Sequence, residues 1–488
     1  MSEPQLCDLS APGRQGVRFP QPDVPLSDLP TSLLRGELPM PELSEMDVIR
    51  HFTRLSQLNY SIDTGFYPLG SCTMKYNPKV NEEAARLPGF AWAHPMQPIE
   101  TVQGSLAMMY QLQEWLKEIG GFAGITLQPA AGAHGELTGV LIMRAYHHAN
   151  NDDKRDKILI PDSAHGTNPA SSVMSGMRVV ELKSDARGNV DLEALRAECD
   201  DTLAGLMLTN PNTLGLFDEN VEEVVRLVHE AGGLVYGDGA NMNALLGVIR
   251  PGDLGIDVLH YNLHKTFSTP HGGGGPGSGP VGVCAKLAPF LPSPVVDVIE
   301  EGDEDLPPLF GFIDPPKSIG RVKAFHGHFG MIVRAYIYIM MNGAEGMRKI
   351  AEHAVLNANY LLARLRDTYH VPYDRICMHE FVAEGRWDDA PEVHALDIAK
   401  RLMDYKFHPP TNYFPLIVHE ALMIEPTETE NKETLDAFAD ALIKIAEEAH
   451  TDPQLLKDAP HITPIGRVDE VKAAKDLLLI CGVSAIDK

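Results

Sequence analysis

Two stretches, LVYGDGAN at residues 234–241 and HYNLHKTFSTPHGGGGPG at residues 260–277, decide how this chain is read. In the first, an apolar run ends on Asp238; in the second, an apolar run ends just before Lys265. A lysine at one strand end, with an aspartate closing the preceding strand, is the pairing that pyridoxal phosphate chemistry needs. The amine forms a Schiff base with the cofactor aldehyde, and the carboxylate keeps the pyridine nitrogen protonated so that the ring accepts electrons. Spacing alone leaves open an ordinary loop lysine at 265 and a structural turn aspartate at 238. Gly239 and Ala240 leave room beside Asp238 for a flat ring and favour the cofactor reading.

Working outward, short apolar runs alternate with helical patterns. The runs are ITLQPA (125–130), DKILIPDS (156–163), RVVELK (178–183), LAGLMLTN (203–210), GGLVYGD (232–238), DVLHYNL (257–263) and PVGVCA (280–285). Alternation at this spacing predicts seven strands in a mostly parallel sheet covered on both faces by helices. Ligands of such sheets sit outside the carboxyl ends of the strands. There fall PAAGAHGE, DSAHGTNP, TNPNTLG, DGANMN and LHKTF. The loop AGAHGE (131–136) reads either as a phosphate cradle at a helix N-terminus or as a tight packing turn. His165 reads as a ring that stacks on a planar cofactor or as a hydrogen-bonded core histidine, and His264 is placed beside any Schiff base by adjacency to Lys265. The run Gly272 to Gly279 lacks the GK[ST] ending of a nucleotide loop and reads as flexible or closely packed backbone.

The 488 residues are too many for one core. The expected division is an extended arm and loops at 1–95, a large cofactor-binding domain at 96–330 and a small α/β domain at 331–488. Prolines in FPQPDVPLSDLP and ELPMPEL make the first 45 residues an arm lying over something, and a partner subunit is one candidate. Apolar positions from Val102 to Ile119 predict an amphipathic helix over Thr101–Ile119, ended by Gly120-Gly121. A long helical pattern follows at 328–343 and 346–369, and another at 432–450.

With 41 basic and 67 acidic side chains the formal charge is −26, which disfavours nonspecific binding to nucleic acid or anionic membrane. Neither a secretory leader nor an apolar run of about 20 residues is evident, so a cytoplasmic protein is expected. The six cysteines lack CxxC spacing, which suggests neither a zinc site nor a disulfide framework, and reduced thiols are expected.

The segments YPLGSCTMKYNP, SAHGTNPAS, TNPNTLGLFDE, YGDGANMNA, RPGDLG, LHKTFSTPHGGGGPG and YFPLIVHEALMIEPTETENKETLDAF together resemble the pyridoxal-phosphate glycine decarboxylases, the P-proteins of the glycine cleavage system. The resemblance covers nearly the whole chain. It implies a fold type I pyridoxal-phosphate enzyme, an aminomethyl-transferring glycine dehydrogenase that decarboxylates glycine, releases carbon dioxide and passes the aminomethyl group to the lipoyl arm of the H-protein. By the same resemblance Lys265 carries the cofactor, Asp238 pairs with the pyridine nitrogen and His165 stacks on the ring. Ala133 with the neighbouring amides of Gly132 and His134 holds the phosphate, and Ala240, Thr213 and His264 complete the cofactor site. The chain's length implies the cofactor-binding second subunit, completed by a lysine-free first subunit in an assembly of two copies of each. Gly466 in TPIGRVDE departs from the family pattern, where a second basic residue is expected beside Arg467. Arg334 and Arg321 are candidates for gripping the glycine carboxylate, and the loop around Cys72 and Lys75, with the Gly-rich run, for walling a lipoyl channel. Cys72 reads as a plain or a redox-active thiol. Competing functions are another enzyme of this cofactor class, such as an aldolase, desulfurase or amino acid decarboxylase, and a non-catalytic scaffold.

Overall fold

A computed structural model describes residues 3–36, 40–272 and 277–477. The chain forms two compact units, one of residues up to 65 with those from 458 onward, the other of Phe66–Lys457.

The larger unit is built on a sheet of seven strands: β1 Gly124–Thr126, β2 Lys157–Pro161, β3 Arg178–Leu182, β4 Leu203–Thr209, β5 Leu234–Gly239, β6 Val258–Tyr261 and β7 Val281–Val283. Their order is β1-β7-β6-β5-β4-β2-β3. Only β7 runs antiparallel, against both β1 and β6, and the other pairs are parallel. Each of the seven apolar runs thus becomes a strand. Every residue of β4 is buried, which is why LAGLMLT reads as an unbroken apolar run; β3 lies at the edge and exposes Arg178 and Glu181. The Gln103–Gly120 helix buries Leu106, Met109, Leu112 and Leu116 against this sheet's core, within two residues of the expected bounds.

A hairpin of β8 Val295–Glu300 and β9 Leu309–Ile313 follows, and then a three-stranded antiparallel sheet of β10 Phe381–Glu384, β11 Thr411–Asn412 and β12 Ala421–Ile424, in the order β10-β12-β11. Helices Ala395–Asp404 and Lys432–Thr451 cover it, burying Ile398, Leu402, Phe438 and Leu442 in a second core with Phe381 and Leu422. The helix Phe329–Leu365 serves both cores, Ile332 to Ala351 joining the first and Ala358 to Leu365 the second. Within the first of these stretches Gly343 leaves helical geometry at φ 60° and ψ −176°, at the point where the sequence pattern itself breaks.

In the smaller unit the helix Glu45–Leu58 starts at Ser44, whose hydroxyl accepts from the Asp47 amide in a capping box. Val17, Phe19 and Leu26 of the proline-rich arm are exposed. Cys72, Cys199, Cys284 and Cys377 are free thiols, but Cys7 is disulfide-bonded, contrary to the expectation of reduced thiols throughout. Residues 273–276 of the Gly-rich run lie outside the described residues. Among those described, no helix is long and apolar enough to cross a membrane.

Candidate active site

The carboxyl ends of β5 and β6 and the N-terminus of the Gly132–Ala149 helix face a cavity of about 500 Å³. Asp238 from β5 enters it, as do His260 from β6 and Asn262, His264 and Lys265 from the turn that follows. Gly132, Ala133 and Glu136 line it from the helix, and His165 and Thr167 from the segment after β2. Ser71 and Cys72, with Thr411 and Phe414, enclose the remaining side.

Lys265 Nζ donates to the Ser71 carbonyl at 3.0 Å. Asp238 is buried; its Oδ1 accepts from the Ala240 amide at 2.9 Å and lies 3.4 Å from His260 Nε2, and Oδ2 accepts from Asn168 at 3.4 Å. Burial opposes ionisation of Asp238, but His260, the Lys265 ammonium and the Ala240 amide outweigh it and hold the carboxyl below its usual range. Burial also keeps the His260 ring below its usual range, and His260 Nε2 faces the Asn262 amide group at 2.8 Å.

His165 stacks on Phe414, with centroids 4.7 Å apart and planes at 23°, and its Nε2 meets the Ser71 hydroxyl. Burial and the Lys265 charge lower its pKa, and burial foremost pushes His264 down to about 3, so both rings are neutral at physiological pH. Burial and the charge of Asp238 push the Glu136 carboxyl up to about 8. Its Oε1 accepts from Thr167 Oγ1 at 3.0 Å, while Oε2 is buried without a partner. Burial raises the Cys72 thiol, which favours an inert protonated sulfur over a redox-active thiolate.

Behind Ser71 lies a sealed group of His379, Glu380 and Glu425, their ligand atoms within 4.8 Å of one another. Such a set is satisfied by a cation or by shared protons. Burial pushes Glu425 up to about 8 and Glu380 well above its ordinary range, and His379 down to about 3, which favours neutral groups, although His379 stands 3.9 Å from each carboxyl and its ring nitrogens and the Glu425 oxygens have no hydrogen-bond partner among the described residues.

Of the residues singled out by sequence, Lys265, Asp238, His165, Gly132, Ala133, Ala240 and His264 are brought together around the cavity. His134 and Thr213 are not among its lining: the His134 ring accepts from the Ala130 amide at 3.1 Å, and the Thr213 hydroxyl donates to the Ser163 carbonyl beneath His165. Arg334 forms a bidentate pair with Glu82, both contacts at 2.7 Å, and Arg321 reaches the Ala324 carbonyl; neither lines the cavity. Lys75 is buried outside it and bonded to Glu428. Glu136, His260, Asn262, Ser71 and Phe414 escaped the sequence reading.

The donor set fits pyridoxal 5'-phosphate. A primary amine and an ionised carboxylate face one cavity, and the helix N-terminus presents first-turn amides there with no side-chain cap at Ala131. A Cβ on Gly132 would fall 2.2 Å from Asn262 Oδ1, so the backbone approaches the cavity floor as only glycine permits.

Comparison with known proteins agrees with this geometry. The family described as "Glycine dehydrogenase, C-terminal domain" matches residues 350–461, and "Aminotransferase class-V" matches residues 138–274, which include His165, Asp238 and Lys265. The chain is 60% identical over 476 residues to a probable glycine dehydrogenase (decarboxylating) subunit 2 of Caldanaerobacter subterraneus, covering 96% of this chain and 97% of the relative. It is 57% identical to the protein of that description in Alkaliphilus oremlandii, covering 97% of each. A solved glycine decarboxylase (P-protein) of the glycine cleavage system, in inhibitor-bound form, superposes with a TM-score of 0.73 at 20% identity over 86% of this chain and 93% of its own, which speaks for the fold alone. Seven strands in a mostly parallel sheet, two matching families and identities of this extent lead to one conclusion: the chain belongs to the glycine dehydrogenase (decarboxylating) subunit 2 family.

Proposed function

We propose that this chain is the cofactor-bearing subunit of a glycine dehydrogenase, with pyridoxal 5'-phosphate held on Lys265, and that it decarboxylates glycine. The observation that carries the reading is the convergence of Lys265 and Asp238, from the ends of adjacent parallel strands, on one enclosed cavity. Bound there, the cofactor supplies an acceptor for the electrons freed when the substrate carboxylate leaves as carbon dioxide.

Asp238, held ionised, keeps a proton on the pyridine nitrogen. His165, neutral and stacked, offers a flat face to a ring without adding charge. The amides at the start of the Gly132–Ala149 helix hold the phosphate. The Lys265 amine would carry the cofactor, and the Ser71 carbonyl, which accepts from it at 3.0 Å, would hold the amine whenever it is free. Phe414 and the 70–72 loop wall one side of the cavity and so limit the solvent that screens these charge interactions.

The net reaction places an aminomethyl group on one sulfur of a lipoylated H-protein and a thiol on the other. A lysine-free first subunit completes the enzyme in a cytoplasmic heterotetramer, and the exposed side chains of Val17, Phe19 and Leu26 suit the arm to cover that partner.

The test is an absorption spectrum of the chain assembled with its partner subunit, followed by borohydride reduction and peptide mapping. A visible-edge chromophore fixed to Lys265, with glycine–carbon dioxide exchange abolished in Lys265→Ala, is expected. Substantial exchange retained by that variant would refute the assignment.

A further inference from the structure

Ser71 is the point at which three parts of the site meet. Its carbonyl receives Lys265 Nζ, its hydroxyl meets the His165 ring, and its amide donates to Glu380 Oε2 at 2.6 Å. The residue has φ 62°, a left-handed conformation that L side chains rarely adopt, so its local preference works against the geometry and neighbouring contacts must hold it. These contacts come from the three-stranded sheet. The Gly70 amide donates to the Met423 carbonyl at 3.2 Å, Thr411 Oγ1 donates to the Gly70 carbonyl at 2.9 Å, and Leu69 bridges Ile424.

Glu380 immediately precedes β10, is fully buried, and reaches in two directions. While Oε2 takes the Ser71 amide, Oε1 accepts from Asn241 Nδ2 at 3.1 Å, three residues beyond Asp238. The Asn241 amide group also donates to the Pro211 carbonyl at 2.8 Å. One carboxyl therefore braces both the loop under the reactive lysine and the strand end that carries the pyridine partner.

We propose that Glu380 is a positioning residue for Lys265: through Ser71 and Asn241 it fixes the amine's resting place relative to Asp238, so that the displaced lysine returns to the same point in every turnover. The proposal rests on the functional reading above. It predicts an effect on turnover rather than on glycine affinity, because Glu380 lies behind the cavity wall and is not among the residues lining it.

The experiment uses the complete enzyme with its partner subunit. Glu380→Ala removes both acceptors, Glu380→Gln retains a carbonyl for the Ser71 amide, and Asn241→Ala removes the brace to the strand end that carries Asp238 while leaving the Ser71 contact in place. In Glu380→Ala, kcat for glycine–carbon dioxide exchange falls about tenfold to a hundredfold, while KM for glycine stays within about twofold. The visible circular dichroism of the Lys265-bound chromophore weakens with it. Glu380→Gln, whose amide NH2 meets the Asn241 Nδ2 donor and so restores one brace of the two, recovers part of kcat, and Asn241→Ala, which removes the other brace, shows a smaller loss in the same direction.

Unchanged kcat and dichroism in Glu380→Ala, a change in KM alone, or no recovery in Glu380→Gln overturns the proposal. Should Glu380→Ala not fold, an Asn241→Ala enzyme with unaltered kcat and dichroism overturns it equally. A metal ion bound at one equivalent and lost in Glu425→Gln would also overturn it, by assigning Glu380 to ligation. Absence of a chromophore fixed to Lys265 in the unsubstituted enzyme defeats the functional reading first; a loaded enzyme with indifferent variants defeats the positioning role alone.

Discussion

Lys75 Nζ lies 2.8 Å from Glu428 Oε1, with the two side chains only 1% and 7% exposed. The ammonium also donates to Asn243 Oδ1 at 2.8 Å and Tyr338 OH at 3.1 Å, so the segment before the first sheet is tied to the turn after β12 by a satisfied buried ion pair. Removing one partner strands a charge in the interior. Lys75→Met is expected to cost about 3–5 kcal/mol of stability, and the double variant Lys75→Met with Glu428→Leu to recover most of it. Denaturant midpoints of the two variants, compared with the parent, check this.

Asp238→Asn keeps the side chain's shape and an acceptor for the Ala240 amide while abolishing the charge. Glycine–carbon dioxide exchange is expected to fall by about a hundredfold to a thousandfold, with the chromophore still fixed to Lys265. The exchange assay and borohydride mapping on one preparation separate lost chemistry from lost cofactor.

Gly132→Ala would bring its Cβ to 2.2 Å from Asn262 Oδ1 at the start of the phosphate-facing helix. Relieving such an overlap costs about 1–3 kcal/mol, so affinity for pyridoxal phosphate should fall roughly tenfold to a hundredfold. Titration of the apoenzyme with the cofactor, followed by absorbance, measures the change.

Glu425 and Glu136 hold their protons to about pH 8, against an ordinary 4.5, through burial foremost. The folded state therefore binds protons that the unfolded chain has already lost, and these groups lose stabilising effect as pH rises from 4.5 through 8. Burial holds His264 and His379 down to about 3, so they destabilise the fold as pH falls below 6.5 and offset the carboxyls there. Between pH 6.5 and 8 only the carboxyl effect remains. Stability should fall across that window by at most about 1.4 kcal/mol per pH unit for each group, and Glu425→Gln should flatten the slope. Denaturant unfolding at several pH values gives the slope directly.

Sheet and reactive pair were legible because both rest on local pattern: apolar runs of strand length, and polar residues at their carboxyl ends. Glu136 also had a signal. It stands four residues after Gly132 in a helix that starts at the cavity, so the two share a face. His260 and Asn262, two apart where β6 ends, likewise point to one side by strand alternation. Glu380, Glu425 and Phe414 had no such local signal. Their only mark is a charge or ring beside an apolar strand, and it is the pairing of Leu69 with Ile424 across the fold that brings them to Ser71. Lys75, offered by the sequence as part of a channel wall, is instead a buried brace, and its partners Glu428, Asn243 and Tyr338, all far from it in the chain, gave no local sign of this.

The interruption at Gly343 divides a rod of 37 residues into a segment held wholly by the first core and a segment that runs from that core, at Met347 to Ala351, into the second, at Ala358 to Leu365. A continuous helix would transmit an opening at either end along its whole hydrogen-bond ladder. With the ladder broken in the middle, amide hydrogens from Phe329 to Asn342 should exchange with solvent on the clock of the seven-stranded sheet, and those from Ala358 to Leu365 on that of the three-stranded sheet. One helix would then report two local stabilities, and the glycine would keep an opening at its far end from running into the first segment.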